Sequence, residues 1–269
     1  MASHPERNDA RRGRNRHGHG GFHKRPAGRA EAGSDDWIWG WHAVAAALAN
    51  PRREAAQLIL ATPERARQIE ARFGRLDALE TAEPQRIAQA LPQGSVHQGV
   101  ALKGPAPEDA ALADFDPRRG AVLLMLDQVT DPQNVGAILR SAAALGAVGV
   151  VLQERHAPKL TGALAKAAAG AVDAVPVARV VNLSRALDEL TDAGWRAVGL
   201  DGEAERPLGE VLDGAPTVLV MGSEGEGLRR LVAEHCDELA RIPMPGGFES
   251  LNVSAAAAVA LYEAARPRT

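Results

Sequence analysis

The sequence predicts an α/β protein: a mostly parallel, helix-flanked sheet in the C-terminal part of the chain, preceded by a smaller α/β unit. Two observations carry this. From residue 121 onward, short aliphatic runs of strand length alternate with segments of helical periodicity, the pattern of a sheet covered by helices on both faces. Hydrophobic residues make up 45% of the 269 while aromatic residues make up only 3%, so any core is aliphatic, and contacts to bases cannot rest on many stacking rings.

The first 36 residues read as a disordered basic arm. Residues 1–34 hold eight Arg or Lys against three Asp or Glu, leaving the remainder near −8 of the total −3. They contain no Leu, Ile or Val and half of the eight histidines, so they cannot bury enough surface to offset their ordering entropy. Such an arm suits phosphate-rich RNA, with a salt-dependent affinity; a solvated tail, or a metal site at His17, His19 and His23, are alternatives.

Residues 37–102 read as a compact first α/β domain. Helices are expected over 41–50, 64–74 and 84–91, and strands over 57–62 and 96–102. The Pro- and Asp-rich stretch 103–120 suits a linker. In 121–269 strands are expected at 121–126, 148–153, 174–179, 196–202, 217–222 and 239–244. Helices are expected at 135–145, 160–168, 183–193, 228–235 and 253–265. The single Cys236 excludes an internal disulfide and a cysteine-based zinc site. No apolar run reaches membrane-spanning length and no secretory signal is visible, so a cytoplasmic protein is expected.

Three loops follow strands at their carboxyl ends, where open α/β sheets hold ligands. In the first, residues 126–142, Asp131-Pro132 marks a turn, Asn134 can cap the helix, Gly136 permits close approach, and Arg140 is left unexplained by capping. The second, 220–230, has three glycines. Its Glu224 and Glu226 would repel phosphate, and it carries neither a Walker lysine nor a dinucleotide fingerprint, so a cationic or neutral ligand fits it better. The third, 242–266, breaks regular structure with Pro243 and Pro245, then offers Ser250, Asn252 and Ser254 as caps to an Ala-lined helix. Each loop also admits a purely structural reading.

Together and in this order, Asn134-x-Gly136-(x3)-Arg140, Gly222-Ser-Glu224-Gly-Glu-Gly227, and Ile242-Pro-Met244 followed by Ser250-Leu-Asn252-Val-Ser254 resemble the three motifs of the SpoU or TrmH family of RNA 2′-O-methyltransferases. Gly40-Trp-His42-Ala-Val44 and His97-Gln-Gly99-Val100 resemble the ends of that family's L30-like RNA-binding domain. With EGEGLRRLVAEHCDELARIPM, the chain looks most similar to the branch that methylates a 23S ribosomal RNA guanosine. The resemblance implies a trefoil-knotted (SPOUT-type) domain over 121–269 and a homodimer. S-adenosylmethionine would be held by Gly222, Ile242, Leu251 and Met244 without a metal.

Arg140 is the implied catalytic residue: it would hold the RNA phosphate and stabilise alkoxide charge, with a literal base role the harder alternative. Asn134 and Asn252 would orient ribose or Arg140, and Glu224 and Ser250 would support the loops. Gly247-Phe248-Glu249 departs from the smaller residues usual before Ser250. Rival readings are a tRNA guanosine 2′-O-methyltransferase, a noncatalytic RNA-binding or assembly factor, and a nucleotide-dependent oxidoreductase. The last lacks its glycine fingerprint after the first strand of the larger domain.

Overall fold

In the computed structural model, residues 36–247 and 250–266 are described. The basic arm, including His17, His19 and His23, therefore lies outside the described residues, apart from Asp36 at its end.

The chain opens with β1 (Trp37–Trp39), α1 (Trp41–Ala49), β2 (Leu58–Ala61), α2 (Pro63–Phe73), β3 (Leu79–Thr81), α3 (Pro84–Gln89) and β4 (Val100–Lys103). The strands pair in the order β1-β4-β2-β3, with β4 antiparallel to both neighbours and β2 parallel to β3. Helices α2 and α3 each start on a proline, Pro63 and Pro84, whose missing N–H costs nothing in a first turn. The sequence reading missed β1 and β3. Strands of three residues show too little alternation to be recognised, and β3 is largely exposed.

After a 3₁₀ turn at Leu112–Asp114 the larger sheet begins. Its elements are β5 (Val122–Leu126), α4 (Pro132–Leu145), β6 (Gly149–Gln153), α5 (Gly162–Ala168), α6 (Ala171–Ala174), β7 (Val177–Val180), α7 (Leu183–Asp192), β8 (Arg196–Leu200), α8 (Leu208–Val211), β9 (Thr217–Met221), α9 (Arg230–Glu234), β10 (Glu238–Ala240) and α10 (Val253–Ala265). All six strands are parallel, in the order β10-β8-β9-β5-β6-β7. Every carboxyl end therefore lies along one edge. The expected strand at 239–244 ends at Ala240, because Pro243 and Pro245 cannot donate to a ladder.

The central strands read as unbroken aliphatic runs because both sheet faces are covered. Leu124, Leu126, Val150, Leu152, Leu219 and Met221 face one way, into a core shared with α4, α5, α10 and, from the smaller unit, Ile38 and Ile59 of its sheet, Val44 of α1 and Ile69 of α2. Their neighbours Leu123, Met125, Val151, Val218 and Val220 face the other way, packing with Leu187, Trp195 and Phe115. The smaller sheet thus shares one core with the larger on one side and has its own on the other, around Trp37, Trp39, Ile87 and Leu91.

Helix α4 begins three residues earlier than expected. Asp131, not Asn134, is its N-cap, accepting from the backbone N–H of Gln133 (3.2 Å) and Asn134 (3.3 Å), with Pro132 in the first turn. The apparent Asp-Pro turn is the cap itself, which frees the Asn134 side chain. Gly136 is a close approach to another backbone: a Cβ there would sit 2.6 Å from the Ala167 Cβ and 2.9 Å from the Leu164 carbonyl of α5. The start of α10 agrees with expectation, Asn252 Oδ1 accepting from the N–H of Ser254 (3.0 Å) and Ala255 (3.4 Å).

Candidate active site

The carboxyl ends of β8, β9 and β10 and the start of α10 enclose a cavity of about 600 Å³, a size suited to a small organic ligand. Gly222, Glu224, Ile242, Met244, Ser250 and Leu251 all line it, so six of the nine expected site residues meet there. The β9–α9 loop turns tightly, Ser223 and Gly227 exchanging N–H to carbonyl bonds of 3.2 and 3.1 Å. A Cβ on Gly222 would lie 2.0 Å from the Gly227 carbonyl carbon, so no other residue fits under this turn.

The lining has a definite electrostatic character. Leu200, Met221, Leu228, Ile242, Met244 and Leu251 make apolar walls, while Asp201, Glu203, Glu224 and Glu226 bring four carboxylates, and among the described residues no lysine or arginine lines the cavity. A phosphate-bearing ligand would be repelled, whereas an uncharged heterocycle carrying a cation finds both apolar contact and compensating charge. The sequence reading missed Asp201 and Glu203. Their signal was available: two carboxylates just beyond a strand end, on the edge where such sheets bind ligands.

Glu224 ties three loops together. Its Oε1 accepts from Asn252 Nδ2 (2.5 Å), Asn134 Nδ2 (3.2 Å) and the backbone N–H of Val253 (3.2 Å). Asn252 Nδ2 also donates to Asn134 Oδ1 (3.1 Å), and Asn252 Oδ1 accepts from the Ser254 hydroxyl (2.5 Å). Asn134 and Asn252 are therefore bound to the rim of the cavity without lining it. Arg140 is not part of this cluster. It is exposed on α4, lines no part of the cavity, and has no ion-pair partner among the described residues. Phe248 and Glu249 lie outside the described residues.

Cys236 donates to the Val232 carbonyl (3.4 Å), and burial, then the charges of Asp237 and Asp127, push its thiol up to about 12, so it stays protonated and unreactive at neutral pH. Among the described residues no group of three His, Cys, Asp or Glu is arranged to hold a metal ion.

Known proteins fit these observations. The SpoU rRNA Methylase family matches residues 121–262, and the RNA 2'-O ribose methyltransferase substrate binding family matches residues 37–110. The 23S rRNA (guanosine-2'-O-)-methyltransferase RlmB of Xylella fastidiosa is 41% identical over 249 residues, 87% of this chain and 98% of its own length. An uncharacterized tRNA/rRNA methyltransferase of Mycolicibacterium gilvum is 45% identical over 178 residues, 64% of this chain; the match spans 57% of that longer relative. The crystal structure of an AdoMet-bound rRNA methyltransferase from Sinorhizobium meliloti superposes with a TM-score of 0.72 at 26% identity, covering 86% of this chain and 87% of that one. With more than half its length matched by one family and nearly all of a relative aligned, the chain belongs to the SpoU rRNA methylase family.

Proposed function

We propose that this chain transfers the methyl group of S-adenosylmethionine to the ribose 2′-hydroxyl of a guanosine in 23S ribosomal RNA. The observation that carries the reading is the cofactor-sized cavity with four carboxylates and, among the described residues, no lysine or arginine, tied through Glu224 to the two asparagines of the other loops. It is supported by the RlmB relative and by the substrate-binding family over 37–110. We read 37–102 as the L30-like RNA-binding domain, 103–120 as a linker and 121–269 as the trefoil-knotted methyltransferase domain.

When bound, S-adenosylmethionine supplies an electrophilic methyl on a sulfonium that leaves as a neutral thioether. The chain's own contribution is binding and alignment. The β9–α9 loop under Gly222 offers backbone groups, Ile242, Met244 and Leu251 offer apolar contact, and Asp201, Glu203 and Glu226 complement positive charge. Glu224 and Ser250 hold the loops, and Asn134 and Asn252 orient the ribose. The 2′-hydroxyl is a weak nucleophile until its proton is drawn away. Arg140, exposed and without an ion-pair partner among the described residues, would hold the adjacent phosphate and stabilise the charge growing on the hydroxyl oxygen.

The family's homodimer reading is supported by a stripe on α10. Ala255, Val259 (42% exposed) and Tyr262 (60% exposed) form an apolar band on the helix that packs against α4, the helix bearing Arg140. A second copy covering it would also adjoin α4, the helix bearing Arg140. Among the described residues no helix is long and apolar enough to cross a membrane, and we place the protein with its ribosomal substrate in the cytoplasm.

The direct test is transfer of labelled methyl from S-adenosylmethionine to 23S rRNA fragments and to tRNA, with the nucleoside identified by mass spectrometry. 2′-O-methylguanosine in the rRNA fragment is expected; methylation of tRNA alone overturns the substrate. A second expectation concerns Glu224→Ala. The change removes the one oxygen that accepts from Asn134, Asn252 and the Val253 N–H, leaving polar groups without partners, each worth about 1–3 kcal/mol. S-adenosylmethionine affinity should fall about tenfold by calorimetry, and wild-type affinity would show that Glu224 does not hold the loops.

A further inference from the structure

The cofactor cavity occupies only one half of the sheet's carboxyl edge. Along the other half, past β5, β6 and β7, lie two further cavities of about 430 and 720 Å³, which share Gln153 and Arg229 and so form one groove. Their character is opposite to that of the cofactor cavity. Arg155 and His156 line the first, and Arg185 and Arg230 line the second. Arg155 and Arg185 have no carboxylate partner among the described residues. The carboxylates that line the groove or lie under it already have partners: Asp188 meets His235 Nδ1 (2.6 Å) and Asp127 pairs with Arg229. Glu234 is likewise held by Arg230 (2.5 Å), and Glu154, exposed on the same turn, lines neither cavity. Outside the first 34 residues the chain is strongly acidic, which makes this concentration of unpaired basic charge a local feature.

The groove is also built rigidly. Arg229 forms its floor: Nε donates to Oδ1 of the fully buried Asp127 (2.7 Å), its backbone N–H to Oδ2 (3.0 Å), and Nη2 to Gln153 Oε1 (3.2 Å). Its side chain remains 40% exposed, so one face of a fixed guanidinium is presented to the groove. On either side, Gln128 (φ 59°) and His156 (φ 73°) occupy left-handed backbone conformations unusual for residues with a Cβ, the kind of local strain that folds retain where side chains must be aimed.

We propose that this groove binds the single-stranded RNA segment flanking the methylated nucleotide, with Arg155 and Arg185 on its phosphates and an unstacked base against Gln128, His156 and the Arg229 guanidinium. The inference rests on the RNA-methylating reading above and deepens it by naming the residues that deliver the strand. Position supports it. The lining residues Gln128, Val129 and Thr130 run directly into Asp131 and Asn134, so the Asn134–Glu224–Asn252 cluster sits between groove and cofactor cavity, where a target ribose would have to lie. A chain this poor in aromatic residues needs guanidinium planes and hydrogen bonds to receive splayed bases. A concave groove receives a single strand, whereas a duplex keeps its bases stacked.

The test uses the full-length protein and a fluorescent 23S rRNA fragment, with binding followed from low to high salt. Arg155→Glu with Arg185→Glu, both surface changes, should weaken RNA binding at least about tenfold and reduce the salt slope by about 1.4, two single-strand phosphate contacts. S-adenosylmethionine affinity should stay within about twofold, a sign of intact folding. The Arg155→Lys, Arg185→Lys pair should keep most of the slope, since charge rather than shape sets it. Wild-type RNA affinity and slope in the glutamate variant would overturn the groove. Failure of the parent reading looks different: the wild type would then transfer no methyl to any RNA, while loss of RNA binding in the glutamate variant would still support the groove.

Discussion

Replacing Arg140 with alanine should cut methyl transfer to RNA about a thousandfold while leaving S-adenosylmethionine affinity unchanged. The two halves of this expectation come from different observations. Arg140 lines no part of the cofactor cavity and makes no bond to the Asn134–Glu224–Asn252 cluster, so its loss removes nothing that shapes that cavity. It is exposed on α4, where truncation typically costs less than about 0.5 kcal/mol of stability. The loss of rate follows from the chemistry. Removing one fixed group that stabilises charge developing in a transition state costs about 10²–10³ in kcat, and loss of the phosphate contact raises KM as well. Arg140→Lys should recover only part of the rate, because an ammonium keeps the charge but not the planar fork that grips a phosphate. The measurement is single-turnover methyl transfer beside calorimetric titration of the cofactor. Equal loss of binding and transfer would place Arg140 in the cofactor site and contradict its assigned role.

That such a role could be suggested from the sequence reflects how chemical signals are distributed along the chain. Local features were legible. The α10 boundaries follow from Asn252 as a cap ahead of an alanine-rich run, and β5, β6 and β9 announce themselves as aliphatic stretches because both sheet faces bury them. Where two local signals compete, the reading failed: Asp131-Pro132 is both a turn dipeptide and a cap followed by a first-turn proline, and α4 takes the second option. Strand order was not legible at all. The insertion of β9 between β8 and β5 pairs Thr217 with Val122 across about a hundred residues, and no local pattern encodes such a pairing. The site shows the same division. Motif residues with unusual chemistry stood out singly, but the convergence of Asn134, Glu224 and Asn252 on one carboxylate oxygen, and the addition of Asp201 and Glu203 from the β8 end, belong to the fold.

The contact with the greatest expected effect on stability was invisible in the sequence for the same reason. Asp173 in α6 and Arg53, just after α1, are both only 3% exposed, and they pair through Nε to Oδ1 (2.8 Å) and Nη2 to Oδ2 (3.2 Å). Asn50 Nδ2 adds a bond to Oδ1 (3.0 Å), and Arg53 Nη1 donates to the Pro105 carbonyl. This network joins the unit on the four-stranded sheet to the one on the parallel sheet, beside the shared apolar core. Asp173→Ala would strand a guanidinium out of water and leave the Asn50 amide without its acceptor, costing about 3–5 kcal/mol in denaturant unfolding. Much of that penalty belongs to the abandoned charge rather than to the bond, so Arg53→Met combined with Asp173→Leu should recover most of it. A loss below about 1 kcal/mol for Asp173→Ala would mean that water reaches Arg53 and that the shared core alone holds the two sheets. A large loss restored by the double replacement would make the pair a device for orienting one sheet on the other. That double variant should then fold well yet bind RNA more weakly, because the two units would keep their packing while losing the bidentate contact that fixes their angle.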